Sequence, residues 1–325
     1  MFQLYKYYIV LFLLLFSFTL SAQQEIYYCP PCPFDCHNES YHQPGVCPVC
    51  NMELVKRIEV KFKNYQKQPV LIKNNNITLN AAYYSPISNQ GQLPAVVVVH
   101  GSAPTTYDDV AFYTSIATQL GMSVLAFDKR GVGRSGGQYQ PFTVEESITW
   151  FNLLASDVIA CMNWLRQRPE IDTTKIGLLG GSQAGWIMPL VASKDKKVKF
   201  IISGEGVSVS AGEENYFSEL TGDGADGGLS IAQADKKLQA FTGPKGFDPR
   251  SILRNMNTKI LWLFGTADPV IPVDASLRDL KKLKNHNFDV IILPDGNHNF
   301  NNTKTGERYE LVDYIKPWLI KIGIL

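Results

Sequence analysis

The stretch Ile176-Gly177-Leu178-Leu179-Gly180-Gly181-Ser182-Gln183-Ala184-Gly185-Trp186 decides how this chain is read. A short continuous apolar run passes directly into a Gly-Gly-Ser turn, and an apolar stretch of helical length follows. Such a run suits a parallel strand covered on both faces. Small residues around a serine are what a strained strand-to-helix turn requires, because side chains there would collide. The serine would stand at the carboxyl edge of a sheet, above a helix N-terminus whose amides can hold an anion. The last place of the pattern G-x-S-x-G is taken by Ala184, with Gly185 one position later. Alanine is small enough to be tolerated there, although the motif alone also fits an ordinary glycine-rich turn.

Working outward, short apolar runs recur at residues 95–99, 123–127, 200–202, 260–264 and 290–293. Helix-length segments lie between them at 109–120, 144–168, 184–193, 273–284 and 307–322. Strand and helix in rotation imply an α/β fold, a doubly wound and mostly parallel sheet. Two alternating segments, 57–63 and 77–84, suit an antiparallel start to it. The rotation breaks once, between 204 and 250, where glycines and charges are dense; this is read as a small lid insertion. This larger α/β domain is thus expected over 57–325.

A lone serine is a poor nucleophile and needs a base with an orienting acid. Asp268 follows the 260–264 strand in Gly265-Thr266-Ala267-Asp268-Pro269, and His298 follows the next strand in Pro294-Asp295-Gly296-Asn297-His298. The order Ser, Asp, His is that expected when all three sit at carboxyl ends of successive parallel strands. His286 reads as a solvated residue. His100, in Val99-His100-Gly101-Ser102, lacks an acid in the required place and reads as structural. Its loop can present the Ser102 N–H, which with the Gln183 N–H would make an oxyanion hole.

Taken together, these residues resemble the α/β-hydrolase superfamily, in particular its small-esterase and dipeptidyl-peptidase-like members, from Ile77 onward. The segment Asp128-Lys129-Arg130-Gly131-Val132-Gly133-Arg134-Ser135 is similar to that superfamily's D-x-R-G-x-G-x-S element, in which Asp128 and Arg130 read as loop-stabilising. The resemblance implies acyl transfer by a catalytic triad of Ser182, Asp268 and His298, through a covalent intermediate on a small-molecule acyl substrate, with no cofactor needed for catalysis. Carboxylic esters are the first expectation. An aminopeptidase or acyl-peptide hydrolase on the same triad is the alternative, with Glu213-Glu214 in the lid as its only hint.

Five of the six cysteines fall between Cys29 and Cys50. The pairs Cys29/Cys32 and Cys47/Cys50 form two C-x-x-C units, the spacing of a tetrahedral site for zinc or another soft metal. Cys36, His37 and His42 are reserve ligands. Residues 27–54 also resemble the small heavy-metal-binding domain of metal-export proteins, although Cys32 stands where that family has histidine. Disulfides are the competing reading in an oxidising compartment, but a C-x-x-C disulfide is strained. Should the hydrolase domain be a mere scaffold, the chain would be a metal-binding or metal-sensing protein. Cys161 reads as a buried small hydrophobe.

Residues 1–22 carry one lysine, an apolar run and Leu20-Ser21-Ala22, the signature of a signal peptide cleaved before Gln23. Export to the periplasm or the medium is expected, with no later membrane span. Lys plus Arg number 31 against 30 Asp plus Glu, so no global field would draw a nucleic acid or anionic membrane.

Overall fold

The computed structural model describes residues 27–28, 40–56, 62–88 and 91–325. The chain divides into two compact units, Met1–Arg57 and Ile58–Leu325. The signal segment, Cys29, Cys32, Cys36 and His37 lie outside the described residues.

In the first unit, three short antiparallel strands, β1 (Tyr27–Tyr28), β2 (Ser40–Tyr41) and β3 (Val55–Lys56), pair in the order β2-β1-β3. The turn before β3 is closed by the Cys47 N–H donating to the Met52 carbonyl at 2.8 Å and the Asn51 N–H to the Cys47 carbonyl at 2.9 Å. Cys47 and Leu54 are buried, with Tyr27, Tyr41 and Cys50 packed against them.

The second unit is built on an eight-stranded sheet. Its strands are β4 (Tyr65–Asn74), β5 (Ile77–Pro86), β6 (Leu93–Val99), β7 (Ser123–Phe127), β8 (Ile171–Gly181), β9 (Phe200–Gly204), β10 (Lys259–Gly265) and β11 (Phe288–Leu293). They lie in the order β11-β10-β9-β8-β6-β7-β5-β4. From β11 to β7 every pairing is parallel; β5 pairs antiparallel with both β7 and β4. The parallel runs need crossovers, and helices supply them: α1 (Ala111–Gln119), α2 (Ser147–Leu165), α3 (Ala184–Lys194) and α7 (Val273–Leu283), while α8 (Leu311–Lys321) follows the last strand. Alternate strand residues serve opposite faces. Val97, Leu178 and Trp262 pack with α2, α3 and α7, whereas Val98, Leu179 and Leu263 pack with α1 and α8. Each fully buried Val, Leu or Ile contributes about 1.5–3 kcal/mol relative to exposure, so the central strands hold the platform rigid.

One expectation is corrected here. The partner of the 77–84 strand is β4 at Tyr65–Asn74, not 57–63. β4 is an edge strand whose Gln66, Lys67, Gln68 and Pro69 face solvent, so it lacks an alternating apolar face. Beyond the N-terminal segment, α2 is long and apolar enough to cross a membrane. It packs Trp150, Phe151, Val158 and Met162 into the core instead.

Between β9 and β10 the expected insertion contains α4 (Ala211–Thr221), a 3₁₀ turn at Gly222–Gly224, α5 (Ile231–Leu238) and α6 (Arg250–Arg254). α4 and α5 start on capping boxes, Ser210 with Glu213 and Ser230 with Gln233.

Candidate active site

Ser182 stands between the end of β8 and the start of α3 with φ of 56°. A non-glycine residue in this left-handed region costs energy and persists only where neighbours hold it. Its N–H donates to the carbonyls of Gly204 (3.2 Å) and Glu205 (3.0 Å), so the end of β9 fixes the turn. A methyl group at Gly181 would lie 1.9 Å from the Tyr113 hydroxyl and 2.5 Å from the Gly204 carbonyl. At Gly185 it would lie 2.3 Å from the Val207 backbone nitrogen. The displaced glycine of the motif is thereby explained: α3 touches neighbouring backbone through Gly185, while the buried Ala184 turns into the core.

Asp268 follows β10 and His298 follows β11, as expected. Asp268 Oδ1 accepts the N–H groups of Val270 (2.8 Å) and Ile271 (3.1 Å), leaving Oδ2 aimed at His298 Nδ1 at 2.8 Å. A proton on Nδ1 leaves Nε2 as the basic nitrogen. Burial lowers the His298 pKa, but the charge and hydrogen bond of Asp268, with a smaller contribution from Asp223, outweigh it and raise it above the ordinary value.

Glu205 lies behind this pair, fully buried and with φ of 46°. Its Oε1 accepts the Gly265 N–H at 2.8 Å, while Oε2 has no well-formed hydrogen bond. Burial, then the charge of Asp268 and hydrogen bonding toward it, hold the Glu205 carboxyl far above the usual carboxylate range. Two adjoining carboxyl groups in a dry site cannot both ionise, and Glu205 is the one that stays neutral.

On the other side of Ser182, Gly101 comes so close that an added methyl would sit 3.6 Å from the Ser182 Cβ. The loop carbonyls of Gly101, Ser102 and Ala103 accept from Lys129 Nζ at 2.6, 2.9 and 3.1 Å, and Gln183 Oε1 lies at 3.4 Å. The Tyr139 hydroxyl also donates to the Ser102 carbonyl at 2.9 Å. Burial alone draws the Lys129 ammonium down to about 7. Gln183, next to Ser182, is the N-cap of α3, where backbone N–H groups have no intrahelical acceptor.

His100 is buried, bonded through Nε2 to the Phe127 carbonyl at 2.5 Å, and lowered to about 3 by burial and the Lys129 charge. It is neutral and structural, as expected; His286 is exposed. Arg130 pairs with Asp157 at 2.7 Å, and Asp128 accepts from Asn80, Tyr107 and Arg134, which gives both the loop-holding role read from sequence. In the insertion, Glu213 is engaged by its cap and by Arg250 at 2.5 Å. Glu214 is pushed up to about 8 by burial and the charges of Asp223 and Asp268.

Glu205 and Lys129 were not singled out by sequence reasoning. A signal existed for Glu205, which directly follows an apolar strand, as a site residue at a carboxyl end does. Lys129 occupied a variable place in its motif and carried none.

Of the four cysteines expected to bind metal, only Cys47 and Cys50 lie among the described residues; Cys161 is buried in the core. Burial raises the Cys47 thiol, but the backbone N–H groups of Cys50 and Val49, with Tyr41 and Cys50, bring it down to about 6. Among the described residues no group of three or more His, Cys, Asp or Glu side chains is placed to hold a metal.

Fold and site together define an α/β-hydrolase of the serine-hydrolase type. More particularly, the chain belongs to the prolyl oligopeptidase family, whose profile matches residues 108–321. It is similar to the Probable dipeptidyl-aminopeptidase B of Arthroderma otae, 26% identical over 196 residues covering 58% of this chain and 20% of that protein. It is also similar to the thiohydrolase aneE of Aspergillus aculeatus, 34% identical over 111 residues, 34% of this chain and 33% of the other. The chain thus matches a third or less of the length of either relative. An esterase from Pyrococcus furiosus shares the fold, with a TM-score of 0.57 at 18% identity over 79% of this chain and 91% of its own.

Proposed function

We propose that the protein hydrolyses a carboxylic ester or related acyl bond through Ser182, His298 and Asp268. The observation that carries the reading is the Asp268–His298 hydrogen bond, formed by the turns after two adjacent parallel strands in the sheet that also ends in the Ser182 turn. Nε2 of His298 takes the Ser182 proton as its oxygen attacks the carbonyl carbon. The N–H groups of Ser102 and Gln183 receive the developing oxyanion. The same imidazolium protonates the leaving group, and water, activated by Nε2, releases the acid.

A second reading, hydrolysis of peptides from a free amino terminus, is favoured by Asp223, whose charge acts on both His298 and Glu214; an incoming ammonium group would draw Glu214, otherwise pushed up to about 8, into its ionised form. The test is turnover of a chain-length series of p-nitrophenyl esters and of aminoacyl p-nitroanilides by the mature protein, beside Ser182→Ala. Loss of ester turnover in the variant supports the first reading; activity on the anilides alone supports the second, and persistence of either activity in Ser182→Ala sinks the serine mechanism.

The first unit is proposed to hold zinc or another soft ion between Cys29, Cys32, Cys47 and Cys50. The buried Cys47 sulfur, receiving backbone N–H groups from its own C-x-x-C turn, has the surroundings a thiolate ligand needs. The metal would stabilise that unit rather than take part in hydrolysis. The protein is further proposed to be exported, to the periplasm or beyond. A size shift on expression in a host with and without signal peptidase inhibition tests this.

A further inference from the structure

We propose that Lys129 is a positioning residue for the oxyanion hole, its ammonium clamping the Gly101–Ala103 turn and Gln183 so that both N–H donors converge on one point. The inference rests on the serine-hydrolase reading above. An ammonium carries three donors and no acceptor, and three carbonyls converging on Nζ favour it over the neutral amine against the downward pull of burial. The donors of Lys129 meet three successive carbonyls, the closest being Gly101 at 2.6 Å, and Gln183 Oε1 lies at 3.4 Å. One side chain therefore touches both segments that supply the hole.

The geometry of the peptide unit turns this grip into catalysis. The Gly101 carbonyl and the Ser102 N–H belong to the same planar trans peptide and point in opposite directions. Holding that carbonyl on Lys129 fixes the direction of the N–H on the other side, in a loop whose Gly101 abuts Ser182. A cation on the carbonyl also polarises the peptide and strengthens its N–H as a donor, an effect that low dielectric preserves. Lys129 is fully buried, so water does not compete for these carbonyls. The Tyr139 hydroxyl holds the Ser102 carbonyl from outside, and its ring lies 5.5 Å from Nζ. A preorganised donor of this kind acts in the transition state and not in ground-state binding.

The test uses the mature full chain carrying Lys129→Met, with circular dichroism melting to establish the folded fraction. Turnover of p-nitrophenyl butyrate is measured with inhibition by an alkyl trifluoromethyl ketone, which forms a tetrahedral adduct, and by the product acid. The expected result is a kcat lower by roughly 10²-fold per folded molecule, KM within about twofold, and a matching loss of ketone affinity with acid binding unmoved. An unchanged kcat per folded molecule, or equal weakening of ketone and acid, overturns the proposal. If Lys129→Met does not fold, Tyr139→Phe frees the next carbonyl of the clamped turn, that of Ser102, which Lys129 also holds. A several-fold fall in kcat at constant KM supports the clamp, and an unaltered kcat overturns it. Ser182→Ala is run alongside: its inactivity with a fully active Lys129→Met rejects the clamp alone, whereas turnover by Ser182→Ala rejects the serine reading and the clamp with it.

Discussion

Glu205 joins the turn of Ser182 to the turn that carries Asp268. Its carbonyl accepts the Ser182 N–H at 3.0 Å, and its carboxyl Oε1 accepts the Gly265 N–H at 2.8 Å, three residues before Asp268. With its pKa raised by burial and by Asp268, Glu205 is a neutral acid in the folded protein and an ordinary carboxylate in the unfolded chain. A raised folded pKa contributes stability that is full below the unfolded value and is lost as pH rises toward the folded one. Glu205→Gln keeps both the acceptor and a neutral donor but cannot ionise in either state. Its melting temperature relative to wild type is therefore expected to climb from about pH 4 to about pH 8, with turnover retained. A melting difference that does not vary with pH would show Glu205 to be charged in the folded protein.

The pH dependence of kcat/KM follows from His298. In the proposed mechanism the imidazole must be neutral to accept the Ser182 proton, and Asp268 raises its pKa above the ordinary value, so the acid limb is expected above about 6.5. In Asp268→Asn that charge is gone and burial is opposed only by the smaller effect of Asp223, which moves the limb to lower pH. Meanwhile kcat falls by something on the order of 10⁴-fold through the wrong tautomer. An acid limb that stays in place in Asp268→Asn would mean that another group titrates there.

The contrast between Asp268 and Lys129 shows what the sequence makes legible. Asp268 follows β10, which is buried on both faces, and His298 follows β11, an edge strand whose Val290 and Ile292 are exposed but whose continuous apolar run still marks its end in the sequence. Glu205 occupies an equivalent place after β9, yet its burial depends on β10 closing beside it, and nothing local reports that. Lys129 looks like any loop cation until the Gly101–Ala103 turn, 26–28 residues away, folds over it. The same limit hid β4, an edge strand exposed along most of its length and so without an apolar period. Charge and polarity reveal what a residue can do; tertiary closure decides which of those possibilities it realises.

Arg250 ties the insertion to the platform, pairing with Glu213 of α4 at 2.5 Å, Asp248 at 2.8 Å and Asp279 of α7 at 2.5 Å. Arg250→Met leaves Glu213 and Asp279 half-buried without their cation, which is expected to cost about 1–3 kcal/mol once their residual solvent exposure is allowed for. Because α4 also carries Glu214 toward the site, KM should rise more than kcat falls. Arg250→Lys should not restore either, since a point charge cannot reach three carboxylates arranged around a planar fork. Denaturant melts with Michaelis constants for both variants check this, and full recovery by lysine would refute the fork argument.

The displaced glycine of the nucleophile turn allows a test in which the more familiar motif performs worse. Ala184→Gly restores G-x-S-x-G, but it removes a buried methyl group and a residue suited to the first turn of α3. Stability is expected to fall by about 1 kcal/mol with activity per folded molecule unchanged. Gly185→Ala has the opposite logic. The added methyl meets the Val207 nitrogen at 2.3 Å, and that contact is backbone, which cannot rotate away. α3 must shift, at a cost of about 1–3 kcal/mol, and Ser182 and Gln183 shift with it, so kcat should drop beyond what the folded fraction accounts for. Urea melts and single-turnover rates on the two variants separate these outcomes. Equal behaviour of the pair, or a gain from Ala184→Gly, would mean that the turn is set by the motif's spacing and not by the contact of α3 with the 206–207 backbone.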